Sequence, residues 1–339
     1  MSRITIDVSH KGKWSRVQAL EIDDKRIIRN GKWLRIAIVH AEQWLETPVQ
    51  DPDACIQALK AEKSGELHCD IFTFCQKLPV LNPSYKYPME RESVAAIPLT
   101  SFDDWWTKLP QETRKNVRRS QKREVVVTVK PLDRGMIEGL VALNNDSPLR
   151  QGKAYTHFGK SFEQVERDQQ DFLDRSDYIC AYYKDELIGM VKLIYRGDVA
   201  SILFFLSKAS HNDKRPSNAL MARVVEECEK RGVKYIIFGF FNYQNKRDSS
   251  LRDFKIRHGF EEVLVPRYYV PLTLKGRLAV WLKLYRGPLG LLPTPVINFL
   301  VNARAKLNRR KTSRCSSMPE QSNCNRQMGR SIPPAGSKV

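Results

Sequence analysis

The segment Lys214-Arg215-Pro216-Ser217-Asn218-Ala219 places two cations and a run of small residues just before a stretch with helical spacing. The first turn of a helix has unpaired N–H groups and a partial positive charge, so such a loop can receive a phosphate. Lys214 and Arg215 would add charge-assisted contacts of roughly 1.5–3 kcal/mol each; the alternative is a solvated basic turn. Lys255 could stabilise an oxyanion or meet a donor phosphate, or it is a surface lysine beside core Phe254. Asn242, Tyr243 and Asn245 are polar residues just past the C-terminal end of a strand-like run. Arg150, Tyr155 and His157 lie in a polar loop over 145–160 that is longer than packing needs, and such loops carry recognition. His211 and His258 read more readily as structural than as bases. No H-x-x-x-H, C-x-x-C or G-x-S-x-G pattern occurs, so neither a metal site nor a serine-hydrolase site is expected.

Several elements must position these residues. Ala200–Ser207 and Lys234–Phe241 are short Ile- and Phe-rich runs that predict buried strands. Between them Leu220, Met221, Val224, Val225 and Cys228 have helical spacing, and Gly232 sits where a left-handed cap belongs. Strands at Tyr178–Tyr183 and Leu187–Tyr195 make an antiparallel meander with Ala200–Ser207. A strand at Val125–Val129 and helices at Asp133–Asn144 and Ser161–Arg175 precede the meander. A helix near Ser249–His258 and a strand at Glu262–Val270 close the pattern. In the first hundred residues strands are predicted at RVQALEI, WLRIAIVHA and CDIFTFCQKL, with a hairpin turn at Arg29-Asn30-Gly31. Asp53 is expected to cap a helix after Pro52, and no catalytic constellation is visible there. Residues 101–124 read as one helix with a thin stripe of Trp106, Leu109, Thr113 and Val117. Its Arg114, Lys115, Arg118, Arg119, Lys122 and Arg123 could meet nucleic acid, anionic lipid or a sugar-nucleotide diphosphate, or form a solvated face.

This order of elements resembles the GNAT acyltransferase fold. That family holds the pyrophosphate of acyl-CoA with Gln/Arg-x-x-Gly-x-Gly/Ala at a helix start; Lys214, Ser217 and Ala219 take those places here. Lys255 stands where many GNAT enzymes have the Tyr of Tyr-x-x-x-Gly-Phe. Phe254-Lys255-x-x-His258-Gly259 is similar to the Fem-type (FemAB-like) branch, which transfers aminoacyl groups onto cell-wall precursors. The resemblance implies an α/β (α+β) fold: a GNAT-like mixed sheet flanked by helices, in two tandem halves, the N-terminal one degenerate. Its divisions would be a degenerate half over 1–100, a basic linker helix over 101–124 and an acyltransferase domain over 125–270. It implies an acyl-CoA co-substrate, acetyl-CoA foremost, held by Lys214, Arg215, Ser217, Asn218 and Ala219, with Tyr243 and Lys255 as catalytic residues. Arg150, Tyr155, His157, Asn242 and Asn245 would bind the acceptor. The expected activity is N-acyl transfer, by direct attack on the thioester, to an amine of a small molecule or a lipid-linked cell-envelope or polysaccharide precursor. The alternatives are a Fem-like aminoacyl-tRNA-dependent transferase and a catalytically silent module on anionic lipid or nucleic acid. The absence of a recognisable helical arm for tRNA counts against a tRNA donor.

The net charge of +19 is uneven: residues 271–339 hold 13 Lys/Arg against one acid. Such a field favours anionic partners. Residues 271–311 mix apolar side chains with cations and are interrupted by Pro288, Pro293 and Pro295, a composition suited to an anionic membrane surface. Residues 312–339 are too poor in apolar side chains to fold and are expected to be disordered. Seven cysteines without a C-x-x-C pair fit a reducing compartment. With no apolar leader and no long apolar run, a cytoplasmic protein, peripheral on the inner membrane face, is expected.

Overall fold

The computed structural model describes residues 2–10, 13–44, 47–150, 153–242 and 250–287. Tyr243, Asn245, the stretch from 288 to 311 and the tail over 312–339 lie outside them. In chain order come β1 (Ser2–His10), β2 (Lys13–Ile22), β3 (Lys25–Asn30), β4 (Ile36–Val39), α1 (Pro52–Ala61), β5 (Ile71–Cys75) and β6 (Met89–Pro98). Next are α2 (Phe102–Lys108), α3 (Gln111–Lys122), β7 (Val126–Lys130), α4 (Arg134–Asn144), the short pair β8 (Leu149–Arg150) and β9 (Lys153–Ala154), and α5 (Phe162–Gln169). The meander follows as β10 (Ser176–Tyr183), β11 (Glu186–Arg196) and β12 (Val199–Ser207). Then come α6 (Pro216–Lys230), β13 (Tyr235–Phe240), α7 (Ser250–Arg257), β14 (Glu261–Pro271) and α8 (Leu274–Trp281).

Apart from β8 and β9, the strands form one mixed sheet in the order β1-β2-β3-β4-β5-β14-β6-β13-β12-β11-β10-β7. One topology occurs twice within it. Antiparallel β2-β3-β4 lead through α1 to β5, which runs parallel to β4 over three pairs from Ile36–Ile71 to Ile38–Thr73. Antiparallel β10-β11-β12 lead through α6 to β13, parallel to β12 from Val199–Tyr235 to Ser201–Ile237. The two halves thus share one arrangement, and they exchange strands at their junction. β14 pairs with β5, while β6 pairs with β13 and with β14.

Helices cover both faces of the second half, because successive strand residues point to opposite sides. Val191 and Leu193 face α6, whose Leu220, Met221, Val224, Val225 and Cys228 are the buried stripe legible in the sequence. Each such side chain contributes about 1.5–3 kcal/mol on burial. Gly189 permits the close approach, since a Cβ there would lie 2.9 Å from Leu220 Cδ1. Met190 faces the other way, toward Met136, Ile137 and Leu140 of α4 and Val165 of α5. In the first half Cys55, Ile56 and Leu59 of α1 pack on Phe72, Phe74 and Tyr268.

Some expectations are corrected. Residues 101–124 are two helices, because Pro110 has no N–H to continue α2 and holds Leu109 extended at ψ 145°. Trp105 rather than Trp106 is the buried tryptophan. The cap of α1 is Asp51, which accepts from the Ala54 amide at 2.9 Å, while Asp53 lies inside the first turn. The strand expected from Trp33 begins at Ile36, and Trp33 is exposed in the turn after Gly31. The helix expected to reach Arg175 stops at Gln169, followed by Phe172 in the left-handed region. Strands β1, β3 and β6 were not foreseen, and Arg29 and Asn30, expected in a turn, end β3. β6 opens with Glu90-Arg91-Glu92, and these charges conceal a central strand because Arg286 and Arg267 neutralise the two glutamates.

Candidate functional site

The parallel pairing of β12 with β13 ends at Ser201–Ile237, although β12 continues to Ser207 and β13 to Phe240. Both strands bulge just beyond that pair. On β12, Leu203 is the extra residue between the Ile202–Leu193 and Phe204–Lys192 pairs. On β13 the register against β6 shifts between Ile237 and Phe240, and Gly239 takes φ +55°, a conformation glycine adopts without steric cost. The strands therefore splay into a slot. Phe205 and Phe238 face each other with centroids 5.8 Å apart, and Phe254 meets Phe205 edge-on at 5.2 Å.

The loop singled out in the sequence lies at the end of this slot. Ser207 closes β12, and its hydroxyl is 2.8 Å from that of Ser217 in the first turn of α6. Arg215 precedes that turn in the left-handed region at φ +57°. Pro216 supplies no N–H, and the Asn218 and Ala219 amides turn back to the Arg215 carbonyl at 3.1 and 3.4 Å. This helix start thus offers an anion fewer amides than an open one does. Lys214 Nζ is 3.2 Å from the Asp213 carboxylate and 4.5 Å from the centre of the Tyr183 ring. Arg123, at the end of α3, donates to the Asp213 carbonyl. From there Lys115, Arg118 and Lys122 run back along α3 as an exposed stripe about 10 Å long at 1.5 Å per residue.

α7 closes the slot from the other side. Lys255 is buried rather than a surface lysine; its Nζ donates to the Phe240 carbonyl at 2.6 Å and lies 4.8 Å from the Phe238 ring centre. Burial pushes its pKa down to about 8. His258, also buried, stacks on Phe254 at 4.0 Å, with Nδ1 2.7 Å from the Phe254 carbonyl and Nε2 3.1 Å from Asn218 Nδ2. Burial lowers its pKa to about 4. Trp105 Nε1 donates to the His258 carbonyl at 2.9 Å, which locks the end of α7 to α2.

The other expected site residues divide. Asn242 is at the slot mouth, with its amide donating to Glu262 at 2.8 Å and its Oδ1 accepting from Arg252 at 3.2 Å. Arg150 reaches the same end, donating to the Ser207 carbonyl at 3.0 Å and stacking on Tyr155 at 4.9 Å. Tyr155 and His157 are turned toward α4 and α5. The Tyr155 hydroxyl donates to Asn144 at 2.9 Å, burial raises its pKa to about 12, and His157 Nδ1 is 3.3 Å from Asp168.

On the face of the sheet away from α6, a cavity of about 60 Å³ meets the root of the slot at Ser201 and Ile237. Its lining comes from both halves of the sequence, with Glu42, Cys75, Lys77 and Glu92 from the first hundred residues and Arg196 and Arg267 from the remainder. Arg267 bridges the two carboxylates, at 3.1 Å to Glu42 and 2.8 Å to Glu92. The Cys75 amide donates to Glu42 at 2.6 Å. Burial nonetheless raises the Glu42 pKa, and burial lowers that of Lys77 to about 7. The Ser201 hydroxyl is buried without a partner among the described residues. None of these residues stood out in the sequence, since they are scattered from 42 to 267. The one available signal was charge inside apolar strands, as at Arg267 in Val263–Val270.

Among the described residues no group of His, Cys, Asp and Glu could hold a metal ion, and no helix is long and apolar enough to cross a membrane. The described cysteines, Cys55, Cys69, Cys75, Cys180 and Cys228, are buried and unpaired by disulfides.

FemX superimposes with a TM-score of 0.51 at 12% identity, over 83% of this chain and 90% of FemX. L-PGS from Bacillus licheniformis does so with a TM-score of 0.51 at 14% identity, over 83% of this chain and 89% of that one. No protein-family model matches the chain, and no curated protein matches it in sequence. This likeness is one of fold: a mixed sheet flanked by helices shared with FemX and L-PGS, as the resemblance to the Fem-type branch implied.

Proposed function

We propose that this chain is an acyl-type transferase that moves an activated acyl or aminoacyl group from a phosphate-bearing carrier to an amine. The slot between β12 and β13 carries this reading, because both strands leave their ladder there and expose backbone groups to a bound carbonyl. The amine nitrogen attacks the donor carbonyl carbon. The new N–C bond forms, the C–O or C–S bond to the carrier breaks, and the amine proton ends on the departing oxygen or sulfur. The amide of the bulged Leu203 is assigned to the oxyanion, where a fixed dipole acts without reorganising. Holding both reactants in one slot supplies the rest of the acceleration.

The carrier lies along α6 and α3 in this reading. The stripe Lys115, Arg118, Lys122, continued through Arg123 to Lys214, is longer than a pyrophosphate requires. The first turn of α6 also has few amides to give. Both features favour a phosphodiester chain, as at the end of an aminoacyl-tRNA. The second reading, acyl-CoA, is favoured by the spacing of Lys214, Ser217 and Ala219 at the helix start. The acceptor approaches through the seam cavity, whose volume of about 60 Å³ admits only the reacting end of a substrate. The acceptor class we assign is an amine of a small molecule or cell-envelope precursor.

Filter binding of aminoacyl-tRNA and calorimetry with acetyl-CoA separate the carriers. Salt-sensitive tRNA binding that weakens in Arg118→Gln/Lys122→Gln supports the first. Acetyl-CoA binding abolished by Lys214→Glu supports the second. Binding of neither would overturn the placement of the donor.

A further inference from the structure

α8 sits on the sheet by its small residues. Gly276 lies so close to the Asp70 carbonyl that a Cβ would be 1.9 Å from it, and Ala279 is buried against Leu34 and Ile71. The opposite face is apolar and bare. Leu274 is 81% exposed, Leu278 54%, and Trp281 77%, with Leu282 exposed beside them. They fall at helical spacing and form one stripe. Trp33, 67% exposed, extends this stripe, because Lys275 lies 5.0 Å from its ring centre and donates to its carbonyl. Soluble surfaces scatter large apolar side chains singly, and a contiguous group of this size marks a contact surface.

The rim of the stripe is cationic. Lys32, Lys275, Arg277 and Lys283 are exposed around it, and residues 271–292 contain no acid. The acids near it are already engaged: Asp70 is buried against Arg35, with Lys275 at 3.5 Å, and Glu90 binds Arg286 and Tyr285. We infer that this face docks on a bilayer rich in anionic phospholipid, with Trp33, Leu274, Leu278 and Trp281 in the acyl-headgroup boundary and the cations on lipid phosphates. Charge decides between occupants. A second copy would bring two cationic rims together, and residues 288–311 are themselves basic, with five Lys/Arg from Arg304 to Lys311. An anionic surface complements both. This inference is independent of the donor and acceptor assignments.

The test is co-sedimentation of the full chain with phosphatidylcholine vesicles, with and without phosphatidylglycerol. Binding only to the anionic vesicles is expected, weakening with salt and accompanied by a blue shift of tryptophan emission. Leu278→Ser/Trp281→Ser should weaken it at least about tenfold through lost apolar burial, and Arg277→Gln/Lys283→Gln should weaken it without changing the thermal midpoint. Undiminished binding in both variants, with loss instead in Arg309→Gln/Arg310→Gln/Lys311→Gln, would move the contact off this face and overturn the inference. So would absence of vesicle binding at low salt, or concentration-dependent dimers that disappear in the apolar variant.

Discussion

Asn218 Nδ2 lies 3.1 Å from His258 Nε2, joining the first turn of the helix assigned to the donor to the end of the helix that carries Lys255. The Phe254 carbonyl, 2.7 Å from Nδ1, can only accept, so the ring proton sits on Nδ1 and Nε2 accepts from Asn218. Protonation would set two donors against each other. The folded pKa of about 4 is below the ordinary 6.5, so the unfolded chain binds the proton first. Stability from this ring is complete above pH 6.5 and is lost as pH falls toward 4, by about 3 kcal/mol. Urea unfolding of wild type and His258→Phe between pH 7.5 and 4.5 checks this. Equal slopes in the two proteins would exclude His258 as the cause.

Gly239 gives a second prediction. At φ +55° a side chain is strained, so Gly239→Val should cost about 1–3 kcal/mol. It should also draw β13 back toward β12 and narrow the slot. Donor affinity should fall by more than in an equally destabilised variant of the distant α1, such as Leu59→Ala; a parallel loss would mean stability alone is involved.

Lys255 bonds the Phe240 carbonyl at the slot mouth. Lys255→Met replaces a costly buried amine by an apolar chain of similar length, so thermal stability should change little. Turnover should still fall about a hundredfold because the mouth loses its tie. A variant that transfers normally would remove Lys255 from the site.

The Arg267 guanidinium holds Glu42 and Glu92 beneath the slot. Arg267→Met strands two buried carboxylates and should destabilise by about 3–5 kcal/mol, read by chemical denaturation. The triple change Arg267→Met/Glu42→Gln/Glu92→Gln should recover most of that loss. Failure to recover it would show that packing, not charge, governs the cluster.

For the stripe on α3, removing two phosphate contacts with Arg118→Gln/Lys122→Gln should lower the slope of log K against log salt for tRNA by about 2. An unchanged slope would make these residues a solvated face.

The periodic parts of this fold were legible in the sequence. Leu220, Met221, Val224, Val225 and Cys228 predicted the buried side of α6, and Gly232 occupies the left-handed position, at φ +67°, where a helix cap was expected. The slot was implied by the family resemblance, which places the donor in a splay between neighbouring strands, but no residue pattern marked it, since a splay depends on where pairing stops. The cavity was hidden for a related reason: Glu42, Lys77, Glu92 and Arg267 look like ordinary surface charges until the sheet gathers them. Lys255 was visible as a motif residue, but its burial depends on Phe238 and Phe240 of β13.

The exchanged strands bear on how this chain is made. Tyr268 on β14 accepts from the Ser84 amide, 184 residues earlier in the chain. β14 is also the edge partner of β5, with Arg267 opposite Cys75, so as the polypeptide leaves the ribosome β5 has one open edge until a strand 192 residues further on has emerged. Contacts of such long sequence separation are slow to form, and an open strand edge invites pairing with a neighbouring nascent chain. The first half should need shelter by a chaperone during synthesis, and fragments ending before β14 should accumulate in aggregates rather than as folded halves.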